Sequence, residues 1–152
     1  MKGRFLFRIE DRNGEGPYQS DTIAKWYDCI STPSHPTPRI KSMPIFGFFG
    51  YLAGEDGWVS AFDSLPQLVQ WIGTLRQTKK VERKPFKRLA DAGFSITIYR
   101  LSRKRDYLPC DDGRQCVFYR DSDHAVPVGT FPLTMAIPLA NIPANELLRD
   151  LA

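Results

Sequence analysis

Two stretches in which every second residue is a large apolar one constrain the fold of this chain more than any other feature. They cover residues 5–10 and 94–99. A period of two is typical of a β-strand with one buried face. Residues 65–75 instead place apolar side chains at spacings of three and four. That spacing predicts an amphipathic helix, which Asp63 or Ser64 would cap.

Shorter segments complete the expected secondary structure. A strand at 115–119 follows a turn, and we expect it to pair with residues 94–99 as a hairpin with a long loop. The remaining predicted elements are a helix at 20–30, strands at 45–51 and 58–62, a helix from Pro85 to Gly93 and a terminal helix after Pro143.

The order of these elements predicts the fold class. Strands and helices are mixed without a repeated βαβ unit, which is typical of α+β proteins. A chain of 152 residues favours one domain, here residues 1–152. We therefore predict a single α+β domain in which a mostly antiparallel sheet packs with three to four short helices. The four prolines between Ser31 and Pro44 make that segment a long loop.

Charge is concentrated in the middle of the chain. Residues 76–105 contain eleven Lys or Arg and two Asp or Glu, a net charge of +9 in a protein whose total is +4. Such a block attracts acidic partners, although a solvated surface is the alternative interpretation. The predicted binding residues are Arg76, Lys79, Lys80, Arg83, Lys84, Lys87, Arg88, Arg103, Lys104 and Arg105.

The expected partner of this block is an acidic protein surface or a nucleoprotein complex of the host. Direct nucleic-acid binding is a further alternative. Phe86 is the only aromatic residue between Trp71 and Phe94, so the block offers no aromatic surface on which bases could stack. Aromatic residues elsewhere are candidate interface anchors, although most are expected in the core. They are Trp26, Tyr27, Phe46, Phe48, Phe49, Tyr51 and Trp58.

No pattern of metal ligands or of an activated nucleophile is present in the sequence. Five residues separate Cys110 from Cys116, which is not the spacing of a structural zinc site. Three cysteines are a sparse, odd set that is typical of a reducing compartment. No apolar run approaches the roughly 18–20 residues of a membrane span. We expect a protein of the bacterial cytoplasm with neither metal nor membrane contact.

Several short motifs in a fixed order resemble small proteins carried by bacteriophages and prophages. The resemblance extends over roughly residues 5–120. The motifs are Phe7–Glu10 followed by Gly14–Tyr18, His35–Pro38, Phe62–Trp71, Gly93–Tyr99 and Gln115–Phe118. It implies a viral accessory role in the bacterial cytoplasm. Some phage proteins of this size inhibit host defence, including anti-CRISPR proteins, so the leading functional prediction is an inhibitor that binds a host macromolecule.

A second resemblance is to the layout of ADP-ribosyltransferases. Arg8 lies in the first predicted strand, Ser64 at a strand-to-helix junction, and Gln115 at the start of a late strand. In that family the arginine holds NAD and a late-strand glutamate supports transfer. Here Gln115 stands on the late strand, and Asp121 is the nearest acid. The resemblance implies NAD as cofactor and these four residues as the catalytic set. The alternative role of Arg8 is an exposed strand residue paired with a neighbouring acid.

Overall fold

The computed structural model describes residues 3–16, 57–74, 80–110 and 113–151. Several predictions lie outside these ranges: the helix at 20–30, the proline-rich loop, the strand at 45–51, and six of the seven candidate anchors. Among the predicted binding residues, Arg76 and Lys79 lie outside them as well.

The first of two small sheets contains both segments with the clearest strand pattern. Strand β1 (Arg4–Glu10) is antiparallel to β3 (Ser95–Leu101), with Phe7 opposite Ile98. On its other side β3 pairs with β6 (Ala125–Pro132), also antiparallel, and the register shifts between Ile98 and Tyr99. The strand order is therefore β1-β3-β6.

The second sheet is built from shorter strands in the order β2-β5-β4. Its central strand β5 (Cys116–Tyr119) pairs antiparallel with β2 (Trp58–Ala61) and with β4 (Tyr107–Pro109). The expected hairpin between the strands at 94–99 and 115–119 is wrong, because β3 and β5 belong to different sheets. Both strands exist as predicted, but strand pairing depends on contacts distant in sequence, which local patterns do not specify.

Within the described ranges, one isolated β-bridge connects the two sheets. Phe7 and Phe62 exchange two backbone hydrogen bonds of 2.9 Å each, immediately after β2 ends. One face of β1 therefore packs into the apolar cluster of the first sheet, which includes Phe7 and Ile9. Its other face meets the second cluster, which includes Leu6 and Phe118.

The helices cover the outer face of the first sheet. Helix α1 (Leu65–Gly73) contacts α2 (Lys84–Asp91), and Leu68, Phe86 and Leu89 are all at most 2% exposed. Ser64 caps α1 as predicted, since its Oγ accepts a 3.2 Å hydrogen bond from the backbone N–H of Gln67.

Short helical turns finish the chain. They are a 3₁₀ turn at Leu133–Met135, α3 (Ala136–Ala140), α4 (Ala144–Leu147) and a final 3₁₀ turn at Arg149–Leu151. Leu147, Leu148 and Leu151 pack against the first cluster, as the predicted terminal helix required. The observed architecture confirms the α+β prediction. Nowhere in the described ranges is there a helix with the length and apolar character of a membrane span.

Candidate functional site

Four ionisable side chains meet in the interior between the two sheets. Glu10 is 7% exposed and Arg8 only 4%. Arg8 Nε donates to Glu10 Oε2 at 3.0 Å, and the Tyr99 hydroxyl donates to Glu10 at 2.8 Å (Oε1) and 3.0 Å (Oε2). Arg120 Nη1 lies 3.5 Å from Glu10 Oε2. We call Arg8, Glu10, Tyr99 and Arg120 the buried charge cluster.

The loop after β1 closes over this cluster. Asp11 shapes the loop, because its Oδ1 accepts the backbone N–H groups of Asn13 at 2.8 Å and Glu15 at 3.0 Å. Gly14 then takes a φ of +80° and directs its carbonyl inward, where both arginines of the cluster donate to it. A Cβ on Gly14 would lie 2.9 Å from Arg120 Nη1. The positive φ therefore favours glycine at this position, and a larger residue would also displace the end of the Arg120 side chain.

Burial dominates the electrostatics of the cluster. Removal from water lowers the pKa of Arg8, and the Glu10 carboxylate acts in the opposite direction by stabilising its charge. The pKa of Tyr99 is raised, first by burial and then by its hydrogen bond to Glu10. Glu10 is the one carboxylate among the four groups, so it compensates charge that would otherwise be buried alone.

The structure corrects the environment of Arg8. It was expected to be exposed, yet it is buried, because the polar face of β1 is covered by the second sheet. Its pairing with a neighbouring acid is confirmed, since Glu10 is its partner. Its Nη1 and Nη2 donate to the carbonyls of Ser60 at 2.8 Å and Gly14 at 3.2 Å. All three guanidinium nitrogens are thus occupied by the protein itself.

The other residues of the NAD-type set lie at two ends of the second sheet. Ala61 pairs with Cys116, so Ser64 and Gln115 are at one end. Trp58 pairs with Tyr119, so Asp121 is at the other end of the sheet, where it is exposed and lies beside Gly57. Arg8 is near the Asp121 end, because it shares Gly14 with Arg120. The geometry does not bring the four residues together.

We expect saturating NAD to leave the melting temperature unchanged. A ligand that binds only the folded protein stabilises it by about 2.7 kcal/mol at a hundredfold excess over its dissociation constant. An NAD phosphate could reach Arg8 only by displacing its internal acceptors. Differential scanning fluorimetry with and without NAD measures this. A rise in the melting temperature that disappears in an Arg8→Lys variant would contradict the expectation.

The structure divides the basic block into two groups. The first basic group, on and before α2, contains Lys80, Arg83, Lys84, Lys87 and Arg88. The second basic group, Arg103, Lys104 and Arg105, follows β3. Along the chain, the two groups are separated by β3, a seven-residue strand that rises roughly 20 Å.

The first basic group occupies the outer face of an amphipathic helix. Phe86 and Leu89 face the core, whereas Lys84, Lys87 and Arg88 are exposed. Within the helix, Lys87 Nζ pairs with Asp91 at 3.2 Å. Because the apolar residues anchor the helix, its cations face outward as a set.

In the second basic group, one acidic neighbour is turned inward. Asp106 is 4% exposed, and its Oδ2 accepts hydrogen bonds from Ser122 Oγ at 2.6 Å and Arg103 Nε at 3.0 Å. These bonds lower the pKa of Asp106 despite the opposing effect of burial. Lys104 and Arg105, on the same 3₁₀ turn, are exposed. The turn therefore presents two positive charges while its carboxylate faces the interior.

A groove of about 710 Å³ lies beside this turn. We call it the β4 groove; it is lined by Arg4, Lys104, Arg105, Tyr107, Leu108 and Pro109. The Arg4 guanidinium carbon lies 3.9 Å from the centre of the Tyr107 ring, and Arg4 Nη1 donates to Asp63 Oδ1 at 2.9 Å. The Tyr107 hydroxyl donates to the same carboxylate, at 2.9 Å to each oxygen. Burial and this bond raise the pKa of Tyr107.

The remaining candidate residues are the cysteines, the possible metal ligands and the aromatic anchor Trp58. Cys110 and Cys116 are buried and belong to no disulfide, as expected for small core residues. No group of three or more His, Cys, Asp or Glu residues that could hold a metal ion occurs in the described part of the chain. Trp58, the one candidate anchor described, is half-buried and lies 5.7 Å from the Tyr119 ring.

Sequence reasoning missed Glu10, Tyr99 and Arg120 in the interior, and Arg4 and Tyr107 in the groove. One signal was available for the interior. Arg8 and Glu10 are two residues apart on a strand, so they share a face. Nothing local places Arg120 or Tyr99 beside them, because those contacts span about a hundred residues.

Comparison with protein families identifies the origin of the chain. The model of the bacteriophage T4 Y00F protein family matches residues 1–134. The chain belongs to this family. It is a small phage accessory protein, as the sequence motifs implied. Comparisons with curated proteins and with solved structures gave no match.

The family match has a clear relation to the structure. It covers the six strands of the described residues together with α1 and α2 of this Y00F-family protein, and it ends within the 3₁₀ turn at Leu133–Met135. The buried charge cluster, both basic groups and the β4 groove all lie within the matched residues. Helices α3 and α4 lie beyond them.

Proposed function

We propose that this Y00F-family protein binds an acidic surface of a host macromolecule through its two basic groups. The biological role we propose is inhibition of a host defence complex in the bacterial cytoplasm, of the anti-CRISPR type. The observation that supports it most directly is the inward orientation of Asp106, which leaves Lys104 and Arg105 as exposed positive charges. Exposed charges of this kind accelerate encounter with an oppositely charged partner.

A protein or nucleoprotein partner is favoured over free nucleic acid. Helix α2, which carries part of the first basic group, has one aromatic residue, Phe86, and that residue is only 2% exposed. Binding of single strands usually combines a basic groove with exposed aromatic side chains on which bases stack. An acidic protein surface needs only complementary charge and a few apolar contacts.

The test is retention of host proteins by the tagged protein and by charge-reversed variants. Arg83→Glu/Lys84→Glu reverses the first group, and Lys104→Glu/Arg105→Glu reverses the second. Acidic residues are favourable near a helix N-terminus, so the first pair should leave α2 folded. We expect each pair to weaken retention of the same partner by about tenfold or more, and added salt to weaken the wild-type complex.

Matched controls make the result specific. Arg12→Glu/Arg149→Glu reverses two exposed arginines outside both groups and should retain the partner. Nuclease treatment of the lysate separates protein from nucleic-acid binding. Full retention by a variant with all four basic-group reversals would contradict the proposal. For the defence role, expression of the protein should restore phage plating on cells with an active CRISPR system, and the four-fold variant should not.

A further inference from the structure

The β4 groove combines positive charge with an apolar floor. Arg4, Lys104 and Arg105 supply the charge, while Leu108 and Pro109 supply apolar surface, and none of the described lining residues is acidic. A volume of about 710 Å³ is within the range of sites that hold a ligand of a few side chains. The groove therefore has room for a short segment, not for a folded surface or a duplex.

Two carboxylates near the groove, among the described residues, are already engaged. Asp63 accepts hydrogen bonds from Arg4 and Tyr107, and Asp106 is buried against Arg103 and Ser122. Asp63 thus pairs with Arg4, but neither acid pairs with Lys104 or Arg105 among the ion pairs of the described residues. These two acids therefore leave the charges of Lys104 and Arg105 unneutralised.

Part of the groove is fixed before any ligand arrives. Arg4, Asp63 and Tyr107 form a closed triangle in which the guanidinium lies on the ring and both groups bond the same carboxylate. Cation–π contact and hydrogen bonding restrict the Arg4 side chain. A side chain held in place loses less conformational entropy on binding, which favours affinity.

The backbone of β4 offers a partner strand no donor. The Tyr107 N–H donates to the Lys104 carbonyl, and Pro109 has no N–H. The Cys110 N–H donates to the Gln115 carbonyl, so the alternation of an antiparallel pair directs Leu108 towards Val117. A strand added at this edge could therefore donate to β4 but not accept from it, which favours recognition by side chains.

We propose that the β4 groove binds a short acidic peptide segment of the partner protein. Carboxylates of the segment pair with Lys104, Arg105 and Arg4, and an apolar side chain between them packs on Leu108 and Pro109. This inference rests on the proposed function and adds the chemical class of the ligand. A nucleic-acid strand fits less well, because the Arg4 guanidinium covers a face of Tyr107, the one aromatic ring of the lining.

The experiment uses the full chain and a peptide array. The probes are twelve-residue peptides in which Asp or Glu pairs flank one Leu or Phe at varied spacing. Each has a partner peptide with Asn and Gln in place of the acids. The tightest acidic peptide is then labelled and titrated by fluorescence anisotropy against wild type, Lys104→Glu/Arg105→Glu and the matched control Arg12→Glu/Arg149→Glu, which reverses two exposed arginines outside both basic groups. An oligothymidylate of the same charge is titrated in parallel.

We expect the acidic peptide to bind the wild type and the matched control alike. Its affinity should fall about tenfold or more for the Lys104→Glu/Arg105→Glu variant and for the amide peptide. Both residues are exposed, so the variant should keep the wild-type melting temperature.

Three outcomes would overturn the inference: no acidic peptide binds, the amide peptide binds equally, or oligothymidylate binds more tightly at the same residues. Failure of the inference differs from failure of the proposed function. If reversal of the first group releases the partner from the lysate and reversal of the second group does not, the protein still binds its partner through basic residues, but the β4 groove is not the binding site. If no basic-group reversal affects the partner, both fail.

Discussion

Replacing Glu10 with glutamine should lower the free energy of unfolding by about 3–5 kcal/mol. The substitution keeps the size of the side chain and removes its charge. Arg8, 4% exposed, would then be a buried cation without its ion-pair partner. The cost arises from that uncompensated charge, since a buried pair that loses one member costs much more than an exposed pair. Equilibrium urea denaturation of the two proteins measures the difference.

The same substitution at an exposed position is the control. Glu15, on the loop that closes over the cluster, is exposed, so Glu15→Gln should change the free energy of unfolding by at most about 0.5 kcal/mol. Equal, small effects of Glu10→Gln and Glu15→Gln would contradict a stabilising role for the cluster. A large effect of Glu10→Gln with unchanged partner retention by the remaining folded protein would confirm that the cluster is structural.

Replacing Phe86 with alanine should lower the free energy of unfolding by a similar amount, about 3–5 kcal/mol. Phe86 lies on the buried face of α2 and is 2% exposed. It is among the largest buried side chains of the described residues. Its removal leaves a cavity between α2 and the first cluster that the surrounding residues can fill only in part. Urea denaturation again gives the magnitude.

The neighbouring residue supplies the control for Phe86. Lys87 is exposed, and its pair with Asp91 is of the i,i+4 type that contributes about 0.3–0.5 kcal/mol. Lys87→Ala should therefore have a small effect on stability. If Phe86→Ala were as mild as Lys87→Ala, α2 would not depend on its buried face. The first basic group would then lack the rigid support that the proposed function uses.

The helices were predictable because their signals are local. Ser64 was identified as a candidate cap for α1 from its position before an apolar repeat, and its Oγ does cap that helix. A helix was expected from Pro85 to Gly93, between a proline and a glycine, and α2 spans Lys84–Asp91. Both inferences needed only residues within one or two helical turns.

The candidate sites were much less predictable. The alternation in β1 correctly indicated a strand, but it suggested that Arg8 faced solvent. A second sheet covers that face, and no short-range pattern reports the arrival of another sheet. The basic block was correctly located in the sequence, yet β3 separates its two groups. Likewise, Arg4 lies on β1 of the first sheet and Tyr107 on β4 of the second sheet. Only the packing of the two sheets brings these residues into contact in the groove.

The amino-acid sequence by itself determined strands β1, β2, β3 and β5, helices α1 and α2, where α1 begins, and the uneven distribution of charge, whereas β4 and β6 were not predicted. These properties follow from periodicity and composition, which act over a few residues. Only the tertiary structure decided which strands pair, that Arg8 and Glu10 are interior, and that Asp106 turns away from Lys104 and Arg105. Those outcomes depend on packing between residues distant in the chain, where burial and electrostatics are set by neighbours that the sequence order does not reveal.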